Sequence, residues 1–94
     1  MALYLISYDI NEKDAFEYKR LWAKLDELGA TKILYSEWVL PGGSNQQGTI
    51  YNEIAPLTQG KDRLLVQEIG AASHWDKLLI SDDEFRNLLR NSRF

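Results

Sequence analysis

The sequence predicts an α+β sandwich in which helices cover one face of a four-stranded sheet. Three observations carry this reading. The chain has 94 residues, 45% apolar and 27% charged, which suits one hydrophobic core and is short for two domains. Its apolar residues recur with strand and helix periods in the order strand, helix, strand, strand, helix, strand, with a tail behind. Its richest turn stretch, Pro41-Gly42-Gly43-Ser44-Asn45, is too short to be a linker. Two strand–helix–strand units of this kind give the ferredoxin-like βαββαβ sandwich. We therefore expect a single domain over residues 1–94, with a core over about 2–70 and a C-terminal strand/helix extension over about 71–94.

The first element is Leu3-Tyr4-Leu5-Ile6-Ser7-Tyr8. Leu3 and Leu5 lie on one alternation and Tyr4, Ile6 and Tyr8 on the other, so both faces are apolar and the strand belongs inside a sheet. Asp9 follows at its C-terminal end. Asn11 and Asp14 form a cap-like pair opening a helix. The stripe of that helix is Tyr18, Leu21, Trp22, Leu25 and Leu28, and Gly29 is its stop. Thr31 to Leu40 reads as one long bent strand or as two strands joined tightly near Tyr35-Ser36, ended by Pro41-Gly42-Gly43. Ser44 and Gln47 make a capping box. Ile50, Tyr51, Ile54 and Leu57 give the second stripe, and Pro56 must kink or end that helix because it lacks an N–H. Asp62 to Ile69 is strand-like, and Trp75 to Ile80 reads as a short fifth strand. Ser81 and Glu84 form another capping box before a helix carrying Phe85, Leu88 and Leu89, with Arg90 and Arg93 at its favourable end.

With helices on one face only, the other sheet face carries either Leu3 and Leu5 or the Tyr4, Ile6, Tyr8 row, depending on register. Either row is too apolar to stay wet. We expect a second subunit to cover it, so that the protein is a homodimer, with the tail crossing over as an added strand.

Composition narrows function. The absence of cysteine excludes disulfides, thiolate zinc sites and thiol catalysis and fits a cytoplasmic location. No run approaches a membrane span. The apolar start, Met1 to Asp9, has no basic leader and reads as a strand rather than a signal peptide. The net charge of -3 argues against coating nucleic acid by bulk charge and leaves room for a local basic patch.

Asp9 is the leading candidate for chemistry, since a strand end presents its side chain to a cleft. Carboxylate oxygens suit Mg²⁺ or Mn²⁺. One carboxylate is a poor site alone, and a two-fold dimer placing Asp9 beside its mate supplies two. Lys19, Arg20 and Lys24 share one helix; a solvated face is the plainer reading, and they are the best phosphate contacts if nucleic acid binds. Lys61 and Arg63 read as turn charges and His74 as loop surface. Gly42-Gly43-Ser44-Asn45 could cradle an anion but lacks the lysine of a phosphate-binding loop. Trp22 and Trp38 read as core or interface, and Tyr4 and Tyr8 as a row against a partner subunit.

The run Tyr4-Leu5-Ile6-Ser7-Tyr8-Asp9-Ile10, then a helix containing basic residues, then Gly29 and Tyr35-Ser36-Glu37-Trp38, resembles the CRISPR-associated endoribonuclease family Cas-two, the small second core protein of spacer acquisition. The likeness spans roughly residues 3–70. It implies a ferredoxin-like homodimer whose strand-end aspartates face each other. Members are metal-dependent nucleases on RNA or double-stranded DNA and scaffolds bridging the spacer-acquisition integrase. Carried over, Asp9 holds the metal and is catalytic, with Tyr8 and Ser36 as supporting polar groups. The first helical turn, Lys13-Asp14-Ala15-Phe16-Glu17, lacks the basic cluster usual in that family, and Trp38 stands at its Phe position. Two rival readings are a toxin ribonuclease resembling virulence-associated protein D and a non-catalytic ferredoxin-like binding or regulatory module.

Overall fold

The computed structural model describes residues 2–10, 15–58, 62–70 and 73–91, with the backbone alone for 15–18. In chain order the elements are Ala2–Asp9 (β1), Ala15–Leu28 (α1), Thr31–Leu34 (β2), Glu37–Gly42 (β3), Gln47–Ile54 (α2), Arg63–Ile69 (β4) and Asp82–Asn91 (α3), with a 3-10 turn at Ala55–Leu57. The strands form one sheet of order β2-β3-β1-β4. Every neighbouring pair is antiparallel. This connectivity is compatible with the ferredoxin-like arrangement. β1, whose two faces are both apolar, is one of the two interior strands.

The segment 31–42 resolves into two strands turned at Tyr35-Ser36, with a register shift between Lys32 and Leu34. β3 runs on through Pro41 and Gly42 to pair with Leu3 and Ala2. Pro41 is tolerated because it lies past the last β2 partner, Thr31 opposite Val39, so its missing N–H costs that ladder nothing.

Each helix end has a local cause. After α1, Gly29 adopts φ 92°, and the amides of Gly29 and Ala30 donate to the carbonyls of Asp26 and Leu25. These are the paired bonds of a Schellman stop, which favours glycine. α2 ends at Ile54, where Pro56 sets the first turn of the 3-10 segment. Its start corrects the expected Ser44–Gln47 capping box. The N-cap is Gln46, with no side-chain cap bond. Instead the Tyr4 hydroxyl, reaching out of the core, accepts the Gln46 amide at 2.9 Å and donates to the Gly43 carbonyl. A Cβ at Gly42 would lie 2.8 Å from Gln46 Oε1 and 3.3 Å from the Tyr4 ring, so a larger residue there would have to displace the Gln46 side chain. The Ser81 box is half realised: Ser81 Oγ accepts the Glu84 amide at 3.1 Å. Asp82, Asp83 and Glu84 lie in the first turn of α3 and Arg90 in its last, the signs that the helix dipole favours. The Asn11–Asp14 pair lies outside the described residues, as does Lys61.

Two cores flank the sheet. Tyr4, Ile6 and Tyr8 pack with Leu21 and Leu25 of α1, Ile50 and Ile54 of α2, and Trp38 and Leu40 of β3. Tyr51, expected in that stripe, is exposed. On the opposite face, Leu3, Val39 and Ile33 pack with Phe85 and Leu89, while Leu5, Ile69, Trp75, Leu78, Ile80 and Leu88 lie partly buried against them. The expectation of helices on one face only is corrected: α3 and the 73–80 segment of the same chain pack on the Leu3 end of this apolar face. The expected fifth strand is also absent: 75–80 has no strand geometry, and the Leu79 amide makes one bond, 2.9 Å, to the Ile33 carbonyl. Trp75 packs edge-on against Phe85, centroids 4.8 Å apart, and its indole N–H donates to Asp82 Oδ1.

Phe85 is the keystone of that cover. Phe85→Ala should lower unfolding stability by about 3 kcal/mol, read from urea midpoints, and should raise binding of an apolar dye. An unchanged midpoint would mean that α3 is dispensable to the sheet.

Candidate functional site

The sequence of β1 changes character at Ser7. Strand alternation puts Ser7 and Asp9 on the face of Leu3 and Leu5. That face is under α3 at its Leu3 end and polar at its Asp9 end. Here an open depression of ≈ 200 Å³ is lined by Ser7, Tyr8, Asp9, Arg63, Leu64 and Leu65. Antiparallel pairing sets Asp9 opposite Arg63 and Ser7 opposite both Leu65 and Glu37. Arg63 Nη1 stands 3.6 Å from Asp9 Oδ2, with side-chain exposures of 81% and 66%. Such an open pair is weak, on the order of 0–1 kcal/mol. Ser7 Oγ donates to Glu37 Oε1 at 3.3 Å. Leu65 is 51% exposed beside them.

Tyr8 points the other way. Its ring is 5% exposed within the helix-side core. Its hydroxyl accepts the indole N–H groups of Trp22 at 2.8 Å and Trp38 at 3.1 Å, and donates to the Tyr35 carbonyl at 3.3 Å. These bonds give the Tyr8 ring a structural task in the helix-side core, on the sheet face opposite the Asp9 side chain. Ser36 lies in the exposed β2–β3 turn at the Asp9 end of the sheet, and its carbonyl accepts the Tyr8 amide at 3.1 Å. Tyr8 and Ser36 are thus joined through backbone, not as side chains around Asp9.

The basic residues divide as well. Lys19 and Arg20 are exposed on α1, across the sheet from Asp9. Lys24 Nζ lies 3.1 Å from Glu53 Oε2 of α2 and 3.9 Å from Glu27 Oε1, so it bridges the two helices. Its pKa is raised, first by the Glu53 hydrogen bond and then by the charges of Glu27 and Glu53. The Gly42–Asn45 cradle is filled from within, since Gln46 Oε1 accepts the Gly43 amide. His74 is exposed near Trp75, Asp82 and Arg86, away from Asp9.

Arg63 is the group the sequence undervalued. Only the register of β1 with β4 brings it to Asp9. A second missed cluster is Lys32, whose ammonium lies 4.1 Å from the Trp22 ring centroid and 5.7 Å from that of Tyr35. Among the described residues no group of three or more His, Cys, Asp or Glu side chains is placed to hold a metal ion. No protein-family model matches the chain, and no curated protein matches it.

Tyr8→Phe keeps the ring and removes the acceptor of buried Trp38. It should cost about 1–3 kcal/mol of stability, with altered tryptophan fluorescence; an unchanged melting temperature would refute the structural task. For Lys24 the sign follows from its raised folded pKa. Its contribution is full below the ordinary lysine value and fades as pH rises through the elevated folded value. The stability gap between the native chain and Glu53→Gln should therefore close at alkaline pH, measured by thermal melts. A gap that stays constant through that range would contradict it.

Proposed function

We propose that the protein acts on nucleic acid at the Asp9 end of its sheet, as a homodimeric metal-dependent nuclease similar to the CRISPR-associated family Cas-two. One observation carries this reading: Asp9 ends an interior strand, is open to solvent, and among the described residues has a 3.6 Å contact to a still more open arginine. The donor chemistry fits Mg²⁺ or Mn²⁺, which take hard oxygen ligands and are commonly bound through one or two carboxylates, with water and substrate phosphate completing the shell. Asp9 of each protomer would hold the ion, and Leu65 is the apolar group beside it that a subunit contact would cover. Such an ion supplies Lewis acidity toward a phosphate and a more acidic water. Arg63 serves the substrate: its guanidinium can leave Asp9 for a phosphate, which it binds through paired hydrogen bonds. Ser7 and Glu37 stay hydrogen-bonded to each other and keep the floor of the depression polar. The RNA and double-stranded DNA substrates of that family, and its role as a scaffold for the spacer-acquisition integrase, come to this chain through the resemblance.

A second reading has its own observation. Asp9 already has a cationic partner within the chain, as does a structural aspartate in a non-catalytic binding module.

Asp9→Ala separates the two. In the nuclease reading, Mg²⁺-dependent cleavage of RNA or duplex DNA falls roughly 100-fold or more while the melting temperature holds, because the ion pair is exposed. Cleavage unchanged in the variant, or absent from the native protein under all metals, favours the binding module.

A further inference from the structure

The β2–β3 turn carries the most exposed large aromatic of the described residues. Tyr35 is 81% exposed, yet everything beneath it is held. Its carbonyl accepts the Tyr8 hydroxyl, the neighbouring Ser36 carbonyl accepts the Tyr8 amide, and the Lys32 ammonium lies toward one side of its ring at 5.7 Å. Lys32 is in turn seated on Trp22 at 4.1 Å.

We propose that Tyr35 and Lys32 form a binding site for a single-stranded nucleic acid, Tyr35 stacking on an unpaired base and Lys32 meeting the adjoining phosphate. Aromatic stacking tolerates any base, and a turn whose backbone is already held loses little freedom on binding. The charges agree. Lys19 lies one helical turn before Trp22 on α1 and is exposed, a second positive charge on that helix. The nearest acid in sequence, Glu37, lies on the opposite sheet face from Trp38 and accepts from Ser7 there. The bond between the Tyr8 amide and the Ser36 carbonyl puts the turn beside the end of β1.

This inference takes from the proposed function only that the ligand is a nucleic acid; it needs neither metal nor cleavage. The test is fluorescence anisotropy of a labelled oligouridine of about twelve nucleotides in EDTA, with the oligothymidine equivalent beside it. The native protein should bind with salt dependence. Tyr35→Ala should weaken binding about 5–150-fold, while Tyr35→Phe retains it. Lys32→Met should flatten the salt slope by about 0.7. Circular dichroism melts check that each variant is folded. Equal binding by native protein and folded Tyr35→Ala overturns the site while leaving the nuclease reading intact. Tyr35-dependent binding without Mg²⁺-dependent cleavage supports the site and removes the nuclease reading. No binding by the native protein at low salt overturns the site.

Discussion

Strand β1 is apolar on both sides for most of its length and polar on one side at its end, and the fold is arranged around that asymmetry. Tyr4, Ile6 and Tyr8 demand a cover, which α1 and α2 provide. Leu3 and Leu5 demand another, and α3 supplies it with Phe85 and Leu89. Burying each such side chain stabilises by about 1.5–3 kcal/mol, so neither face could be left to water in a domain this small. At Ser7 and Asp9 the demand ends. The cover ends with it, and what remains is an open, charged margin of the sheet. The site is therefore a consequence of where the hydrophobic pattern of one strand stops.

Two tyrosine hydroxyls convert that core into a scaffold for loops. Tyr4 reaches the Gly43 carbonyl and the Gln46 amide and anchors the start of α2. Tyr8 joins Trp22 and Trp38 to the Tyr35 carbonyl. Buried polar groups are costly unless satisfied, and satisfied ones fix geometry. Each ring therefore ties a surface turn to a specific core position. At the β2–β3 turn this presents an exposed aromatic on a held backbone.

Much of the fold was legible because its signals are local. The two-faced run from Leu3 to Tyr8, the stop at Gly29, the break at Pro56 and the Ser81 cap each depend on residues within a few positions of one another. The role of α3 was not legible. Phe85, Leu88 and Leu89 read the same whether the helix closes its own sheet or another chain's, and only the return of the 73–80 segment along β2, through the Leu79–Ile33 bond, decides it. The site was legible only as far as Asp9. Its pairing with Arg63 requires the register of strands more than fifty residues apart in sequence. The placement of the Tyr8 ring in the helix-side core requires knowing which face holds Trp22 and Trp38. Lys24 shows the same limit: its spacing on α1 reads as a basic patch, while its partner, Glu53, lies on another helix.

In the proposed reading the open end of the sheet, and not the α3 face, is the working surface. Amide chemical-shift mapping during titration with a short single-stranded oligonucleotide tests this. Perturbations are expected to group at Asp9, Arg63, Tyr35 and Ser36, with Phe85 and Leu89 unmoved. Perturbations concentrated on α3 and around His74 and Trp75, with the Asp9 end silent, would contradict it.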